Sequence, residues 1–582
     1  MEQIKFIPKG VSNFRELREK NRYYVDKTMF LPKLERVGDF LFLTRPRRFG
    51  KSLFLSMMKD YYDINNKENF QKEFEGLYIA NNPTELQGYF QVLYFDFAML
   101  GGGTGDLEKK FDEYCKKRIQ NFLKYYSSYY PRGFAKEVAE IDTLSVQIDY
   151  IAETARNSGY HLYLIIDEYD NFTNNMLYGN SESKDRFSKT THGEGFYRQV
   201  FQSFKPSFER IIMFGVLPIT LMDLTSCFNI STNISFLKNY NTMLGFSEKD
   251  VKDIIRYYRK AKLIKMKEKD ILADLKPWYD GYCFSMDSLK QGQGMYNPNN
   301  VLSYLNILIE TGNPPASLID PNTAIDFNKL RKMVEIDSKN NDNSIINNIV
   351  SNGYTTDELF EEFDADKIEK KEYLPSLMYY HGMLTIGEVD DDELKLVIPN
   401  RNVRLQYYDY LLKMQQDEYD LDIEWLKKSL RSAANDGEWR QLMEFLAKNY
   451  KEGTSVRDAV AGEKGIQLYM TAYLTLSRLF ITKTEKEMNH GFCDIFLLGD
   501  TINFSKVKHS YIIELKYLKT NATKSEAEKQ WKEAVKQISK YGEDEKIRQI
   551  TSATTLHLIV LQMKGAELLK MEEVKSFAAT AK

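Results

Sequence analysis

The pattern of apolar and polar positions predicts an α/β protein whose strands fall in two separate regions. In the first 235 residues, short continuous apolar runs alternate with stretches of helical periodicity. Runs that are apolar throughout are typical of buried parallel strands, and helices between them cross over the sheet. The predicted strands of this first sheet are residues 40–43, 92–97, 162–166 and 211–216.

Beyond this region the pattern becomes helical and then returns to strands. Ser247, followed by Glu248 and Asp250, favours a helix start because a serine side chain can cap the first turn. Two apolar strands, 382–386 and 394–400, surround an acidic tip and suggest a winged-helix-like module. The predicted domains are an α/β core (1–235), a helical lid (236–330), the winged-helix-like module (331–430) and a C-terminal α/β domain (431–582).

A phosphate-binding loop is predicted directly after the first strand, where Gly50, Lys51 and Ser52 open a helix. In a P-loop, backbone N–H groups surround a phosphate, the lysine neutralises it, and the serine hydroxyl can ligate Mg²⁺. Arg45 stands where the common pattern has its first glycine. Three loop arginines cannot all contact one phosphate, so some of them are expected to hold neighbouring acids or a partner. The predicted nucleotide-contacting residues of the loop are Arg45, Arg47, Arg48, Phe49, Gly50, Lys51, Ser52 and Leu53.

The other half of a nucleotide site is predicted where two later strands end. Asp167 and Glu168 follow the apolar run 162–166. In P-loop ATPases an acid at this place orients Mg²⁺, and the next one activates the attacking water. Thr220, after the fourth strand, can contact the γ-phosphate, and a core strand capped by a turn explains it equally well.

A second site is predicted near the C-terminus, on two adjacent strands. Asp494 lies near the start of strand 492–498, and Glu514 and Lys516 lie on strand 511–516. Residues i and i+2 of a strand share one side, so Glu514 and Lys516 should point the same way. Two carboxylates can hold a divalent metal, which lowers the pKa of a bound water, and a lysine can stabilise charge on a phosphate. The alternative is that these are ordinary solvated strand residues.

Two more residues complete the predicted sites. Glu463 begins a helical run, and Gln537 lies beside an apolar stripe of helical spacing. The predicted catalytic residues are Glu168 in the first site and Glu463, Asp494, Glu514, Lys516 and Gln537 in the second, and the predicted metal ligands are Ser52, Asp167, Asp494 and Glu514.

Composition limits the partners and the compartment. The net charge is −3, so the chain as a whole is not a polycation, and nucleic-acid binding would need a local basic surface. The four cysteines are isolated in sequence, which predicts reduced thiols. No signal-peptide core and no apolar run of about 20 residues is present, so we expect a cytoplasmic protein without a membrane partner.

These motifs resemble those of a bacterial family of AAA-ATPase-like proteins with a C-terminal PD-(D/E)XK nuclease-superfamily domain. The resemblance is carried by the arginine-rich loop ending in Gly50-Lys51-Ser52, by Asp167-Glu168, and by residues 24–28 and 278–282. The arginine-rich loop is the form of the P-loop that this family has. Residues 24–28 can contact nucleotide or anchor the first strand.

The C-terminal motif also resembles the nuclease superfamily, with two departures. Glu463, Asp494, Glu514, Lys516 and Gln537 match superfamily positions. Cys493 replaces the usual proline before the first acid, and Gln467 replaces the usual histidine of the first nuclease helix.

The motifs and the resemblance together imply a P-loop ATPase coupled to a Mg²⁺-dependent nuclease. The expected cofactors are ATP and Mg²⁺, with Mn²⁺ as a substitute at the nuclease site. The expected partners are DNA, in preference to RNA, and further copies of the chain in a nucleotide-dependent homo-oligomer. The alternative is a nucleotide-dependent regulatory switch or scaffold whose nuclease-like domain binds without cleaving.

Overall fold

Five parallel strands form the centre of the first of two units in this computed structural model. The first unit is Met1–Lys339 with Tyr354–Asn402, and the second is Asn340–Gly353 with Val403–Lys582. The structure describes residues 3–100, 107–171, 196–218, 231–315, 353–361, 370–390, 393–404, 406–407, 422–453, 463–474, 477, 479–488, 491–501 and 504–574, and single positions between 318 and 349.

The first sheet has the strand order β2-β3-β4-β1-β5, and every neighbouring pair is parallel. The carboxyl ends of parallel strands meet at one edge, so the residues that follow β1, β3 and β4 come together there. The four predicted strands are confirmed, whereas β5 is too short to give a periodic signal. The strands are β1 (Phe40–Thr44), β2 (Phe90–Asp96), β3 (His161–Asp167), β4 (Arg210–Gly215) and β5 (Thr232–Asn233).

Helices cover this sheet because each predicted crossover has one apolar face. The helix Lys51–Tyr62 follows β1 and buries Phe54, Leu55 and Met58. The other helices of this part are Phe14–Glu19, Leu31–Val37, Phe70–Phe74, Tyr78–Asn81, Leu107–Tyr125, Phe134–Ala139, Leu144–Asn157 and Phe196–Ser207.

A helical region with its own apolar cluster follows the sheet. It begins as predicted, because the Ser247 hydroxyl accepts the Asp250 N–H and the Asp250 carboxylate accepts the Ser247 N–H. Residues such as Ile254, Leu275 and Leu305 form the cluster. The elements are β6 (Phe246–Ser247), β7 (Met295–Tyr296) and the helices Glu248–Lys260, Glu268–Tyr279, Met286–Leu289 and Pro298–Thr311.

A three-stranded antiparallel sheet completes the first unit. It consists of β8 (Tyr354–Thr356), β9 (Thr385–Asp390) and β10 (Glu393–Val397) in the order β8-β10-β9, after the helix Leu374–Tyr380. The predicted hairpin is confirmed as β9 and β10, while β8 was not predicted. The Thr385 hydroxyl accepts the Cys283 N–H (2.7 Å) and donates to the Cys283 carbonyl (3.0 Å). The domain boundaries at 235, 330 and 430 stay predictions.

The second unit is built on a mixed five-stranded sheet in the order β11-β12-β13-β14-β15. Only β13 and β14 are parallel, and the helix Lys524–Gly542 connects them. The predicted strands 492–498 and 511–516 are confirmed within β12 and β13. The strands are β11 (Phe480–Met488), β12 (Gly491–Gly499), β13 (His509–Leu518), β14 (Thr555–Lys564) and β15 (Glu567–Glu573), and the other helices are Ile423–Asp436, Arg440–Gly453, Glu463–Leu474 and Glu545–Ile550.

Each face of this second sheet is buried by helices. Ile513 and Leu515 of β13 pack with Leu446 and Met470, while Ile512 packs with Ile538 on the other face. None of the helices in the described ranges has the length and apolar character needed to cross a bilayer.

Candidate nucleotide and nuclease sites

The loop between β1 and the next helix has the backbone geometry of an anion-binding turn. Gly50 precedes the helix Lys51–Tyr62 with φ 93°, in the left-handed region that favours glycine. Arg48 also lies in this region, with φ 69°, where a non-glycine residue costs about 1–2 kcal/mol. The loop therefore ends in backbone N–H groups at a helix N-terminus, which is where phosphate binds most readily.

Lys51 is held inside this loop. Its ammonium donates to the backbone carbonyls of Arg45 (2.9 Å) and Pro46 (3.1 Å). Burial lowers the pKa of Lys51, and the carboxylates of Glu168 and Asp167 act in the opposite direction. The ammonium therefore lies within electrostatic reach of the acids at the end of β3.

Arg45 occupies a different place from the one expected of a phosphate ligand. Its guanidinium donates to the carbonyls of Thr44 (2.8 Å), Ser235 (2.8 Å) and Tyr240 (3.2 Å), and lies 4.2 Å from the centre of the Phe284 ring. It is 1% exposed, and burial lowers its pKa to about 10. Through these contacts Arg45 stabilises the first part of the loop.

Asp167 is a buried carboxylate at the carboxyl end of β3. Tyr94 donates to its Oδ2 atom (3.3 Å), whereas Oδ1 accepts no hydrogen bond from any described residue. Burial raises the pKa of Asp167 to about 6, and the Ser52 hydroxyl and the Lys51 charge oppose this shift. A buried carboxylate oxygen without a partner beside a serine hydroxyl fits a Mg²⁺ ion, which takes oxygen ligands.

Asp170 is a site residue that the sequence analysis missed. Its carboxylate accepts the N–H groups of Val216 (3.0 Å) and Leu217 (2.8 Å), at the end of β4. A Cβ atom at Gly215 would lie 2.4 Å from Asp170 Oδ1, so these two segments can approach this closely only because residue 215 is glycine. This contact fixes the turn that carries Glu168, whose φ of 52° is unusual for a non-glycine residue.

A cavity of about 560 Å³ opens beside the loop. Its charged lining residues are Lys27, Arg47, Arg48, Lys51 and Glu168. Its apolar lining comes from segments that are distant in sequence. Arg45 is not among the described residues that line the cavity. Its other lining residues include Val11, Leu17, Tyr23, Tyr24, Val25, Phe49, Gly50, Ser52, Leu53, Met243, Leu244, Phe246 and Leu302.

The segment 24–28 borders the cavity and is anchored by local hydrogen bonds, while its contact with nucleotide stays a prediction. Tyr24, Val25 and Lys27 line the cavity. Asp26 anchors the chain, because its carboxylate accepts the N–H and hydroxyl of Thr28 (2.8 and 2.6 Å) and the N–H of Tyr78 (2.6 Å). The predicted contact residue Thr220 lies outside the described residues.

The second site forms where β12 and β13 separate. Their pairing ends at Ile495 and Ile513, so the backbones of Asp494 and Glu514 are not paired. At this point the Asp494 carboxylate replaces a backbone carbonyl as the acceptor, and it accepts the Leu515 N–H (2.7 Å). The strands thus diverge at the two predicted metal ligands.

Glu514 and Lys516 point to the same side of β13, as predicted. The Lys516 ammonium lies 2.7 Å from Glu514 Oε1 and 3.8 Å from Glu463 Oε1. Burial raises the pKa of Glu514 to about 7, the Asp494 charge adds to the shift, and Lys516 opposes it. The other oxygen of Glu514, Oε2, is buried and has no hydrogen-bond partner among the described residues.

Gln537 and Gln467 border this site. The Gln537 amide donates to the Tyr541 hydroxyl (2.5 Å), and the pKa of Tyr541 is raised by burial and by the nearby Glu514 and Asp494 charges. The Gln467 amide donates to the backbone carbonyl of Asp494 (2.8 Å). The structure therefore brings Glu463, Asp494, Glu514 and Lys516 together, with Gln537 beside them through Tyr541.

A metal at this site would rest on few protein ligands. The described residues contain no group of three or more His, Cys, Asp or Glu side chains placed to hold a metal ion. Mg²⁺ commonly keeps several waters and binds one or two carboxylates, so Asp494 and Glu514 suffice for it. The partnerless Glu514 Oε2 atom fits such an ion.

The fold and the two sites define a protein with a P-loop ATPase-like domain and a nuclease-like domain on one chain. Residues 8–225 match the family described as predicted AAA-ATPase, and residues 461–573 match the PD-(D/E)XK nuclease superfamily. The chain therefore carries an AAA-ATPase-like domain and a C-terminal PD-(D/E)XK nuclease-superfamily domain, which confirms the resemblance.

Two individual proteins are also similar to this chain. An uncharacterized protein in the vnfD 5′ region of Azotobacter chroococcum mcd 1 is 25% identical over 426 residues, which cover 70% of each chain. The solved structure of the Aeropyrum pernix ORC2 protein aligns with 68% of this chain and 93% of that one, with 10% identity and a TM-score of 0.32.

Proposed function

We propose that this chain binds and hydrolyses ATP in its first unit and cleaves DNA with its C-terminal domain. One observation carries the proposal. Each site has a buried carboxylate, Asp167 or Glu514, with one oxygen that no described residue satisfies, beside a lysine and a second acid. An unsatisfied buried acceptor costs about 1–3 kcal/mol, and a cation bound at each site would relieve that cost.

In the first site, each polar residue has a role that follows from its position. Lys51 and the exposed Arg47 and Arg48 neutralise phosphates, and the apolar wall takes the base. Ser52 and Asp167 would hold Mg²⁺, which when bound neutralises phosphate charge. Glu168 lines the cavity and can accept a proton from the attacking water.

The ATPase proposal is tested with two single substitutions in the full chain. Lys51→Ala should weaken ATP binding, because it removes a positive charge that would neutralise the phosphates. Glu168→Gln should still bind ATP but hydrolyse it roughly 10²–10⁴-fold more slowly, the usual size of a general-base contribution. A phosphate-release assay and a binding titration separate the two effects. Hydrolysis at the wild-type rate in Glu168→Gln would remove this residue from the chemistry.

In the second site, Asp494 and Glu514 would hold Mg²⁺ or Mn²⁺. Such an ion lowers the pKa of a bound water and polarises a phosphate. Lys516 lies where its ammonium can hold an attacking water or meet charge on the phosphate, and Glu463 can accept a proton. DNA is the proposed substrate in preference to RNA.

The nuclease proposal is tested by cleavage assays on single- and double-stranded DNA and RNA with Mg²⁺ or Mn²⁺. Asp494→Ala and Lys516→Ala should each abolish cleavage, and the matched exposed variant Lys546→Ala should not. Cleavage that survives both substitutions would show that the activity lies elsewhere.

A binding role without cleavage is the second candidate, and Gln467 favours it. Gln467 stands where the usual histidine would be, and its side-chain amide donates to the backbone carbonyl of Asp494. This amide group is therefore not directed at a substrate. In this case ATP would control assembly of a homo-oligomer, and the C-terminal domain would hold nucleic acid. Binding without cleavage under every metal condition would establish this alternative.

A further inference from the structure

Nucleic-acid binding by this chain needs a local basic surface, because the net charge is −3. The helix Lys524–Gly542 is the best candidate in the second unit. A capping box at Thr523 and Glu526 fixes its N-terminus, and Trp531, Ala534 and Ile538 bury one face. The opposite face is therefore presented to solvent in a fixed orientation.

Four lysines occupy that outer face. They are spaced by three, four and four residues, and each is exposed. At about 100° per residue, these positions fall within an arc of about 80°, opposite the buried residues. Glu533 lies at the edge of this arc. We call the set the lysine stripe: Lys529, Lys532, Lys536 and Lys540.

The length of the stripe suits a nucleic-acid backbone. The eleven steps from Lys529 to Lys540, at a rise of about 1.5 Å each, give about 16 Å. One strand of duplex DNA carries a phosphate per about 3.4 Å of axis, so the stripe spans about five of them. The aromatic residues of this helix, Trp531 and Tyr541, are both buried. Single strands commonly bind by stacking bases on aromatic side chains, so this helix favours the backbone of a duplex.

The carboxylate site lies on the other side of this helix, where Trp531, Ala534 and Ile538 pack against the sheet. Gln537 follows Lys536 directly and lies between the stripe and the buried face of the helix. Its amide binds the hydroxyl of Tyr541, which is close to Glu514 and Asp494. Around the circumference of the helix, Gln537 and Tyr541 therefore lie between the stripe and these carboxylates.

We propose that the lysine stripe binds the phosphate backbone of duplex DNA. The inference rests on the proposed nuclease function and adds to it the surface and the form of the substrate. Lysine contacts to phosphates are independent of base sequence, so the stripe supplies affinity and position.

The test compares two fourfold variants of the full chain. The stripe variant is K529Q/K532Q/K536Q/K540Q. The control variant is K427Q/K428Q/K506Q/K546Q, whose lysines are also exposed in the second unit. Both change the net charge equally. Fluorescence anisotropy measures binding of a labelled duplex in EDTA between 50 and 200 mM salt, and circular dichroism confirms folding.

The expected result is a change in salt dependence. Each phosphate contact contributes about 0.9 to the slope of log affinity against log salt for duplex DNA, and about 0.7 for a single strand. Loss of four contacts should reduce the slope by about 3–4. Over this fourfold salt range, the wild type should lose roughly 100-fold more affinity than the stripe variant. The control variant should follow the wild type.

Three outcomes would contradict parts of this reasoning. An unchanged slope and affinity in the stripe variant, with a wild type that binds duplex, would refute the inference and leave the nuclease proposal standing. A reduced slope for single-stranded DNA or for RNA alone would refute the duplex assignment. A wild type that neither binds nor cleaves any nucleic acid would refute the proposed function itself.

Discussion

Replacing Glu514 by glutamine should stabilise the second unit above neutral pH and remove its response to Mg²⁺. Glu514 is 1% exposed, and its carboxylate lies beside Asp494 and Lys516. Burial is the largest cause of its raised pKa, so the ionised form costs stability when no cation is bound. Glutamine keeps the shape of the side chain and carries no charge.

The magnitude follows from the pKa. The pKa of Glu514 is raised from 4.5 to about 7. At about 1.36 kcal/mol per pH unit, this difference corresponds to about 3 kcal/mol. A raised pKa means that the folded state binds the proton more tightly. The stabilising contribution is therefore complete below about pH 4.5 and is lost as the pH rises through about 7. Glutamine shows no such loss.

The assay is urea unfolding followed by tryptophan fluorescence, in EDTA and in millimolar Mg²⁺, from pH 5 to pH 8.5. Three of the four tryptophans, Trp425, Trp439 and Trp531, belong to the second unit, so the signal reports mainly on it. In EDTA, the free energy of unfolding of Glu514→Gln relative to wild type should rise by about 3 kcal/mol over the titration. Mg²⁺ should stabilise the wild type above pH 7. Glu528→Gln, at an exposed position, is the control.

Two results would refute this reasoning. A stability difference between Glu514→Gln and wild type that is equal at pH 5 and pH 8.5 would show that this carboxyl does not titrate as argued. Equal stabilisation of both proteins by Mg²⁺ would show that Glu514 is not a ligand.

Two further predictions concern the first unit and its link to cleavage. Asp170→Ala should lower the free energy of unfolding by about 2–6 kcal/mol, because the buried N–H groups of Val216 and Leu217 lose their acceptor at about 1–3 kcal/mol each. Urea unfolding measures this loss, and Asp149→Ala, at an exposed position, is the control. A loss of stability below about 1 kcal/mol would contradict the prediction. ATP should change the nuclease rate roughly 5–150-fold through a coupling of about 1–3 kcal/mol and favour a homo-oligomer. The test is to measure the nuclease rate and the sedimentation of the protein with ATP, with ADP and without nucleotide, using Glu168→Gln to retain ATP. Identical rates and identical masses in all three conditions would exclude coupling.

The strands and the helix starts could be predicted because their signals are local. The apolar run before Asp167 and the cap at Ser247 are each contained in a few neighbouring residues. The shared side of Glu514 and Lys516 follows from strand geometry alone. These features are confirmed for that reason.

The environment of each side chain could not be predicted, because it depends on residues far away in sequence. Arg45 looks like a phosphate ligand beside Gly50-Lys51-Ser52, yet its partners Ser235, Tyr240 and Phe284 lie about 190–240 residues later. Asp170 looks like one more acid after the strand until the end of β4 is placed against it. The pKa of Glu514 depends on the burial of its side chain and on Asp494 of the neighbouring strand, which no local pattern reports.

Residues 354–402 belong to the first unit, although residues 340–353 of the second unit precede them in the chain. This order has a consequence for folding during synthesis. Thr385 completes the hydrogen bonds of Cys283, and a Cβ at Gly382 would lie 2.9 Å from Pro46 of the phosphate loop. The ribosome must therefore add about 400 residues before this unit has all its parts. At about 5–20 residues per second, that takes roughly 20–80 s. During this time the nascent chain displays an incomplete ATPase-like domain, which makes chaperone binding and pausing near residue 402 relevant to its yield.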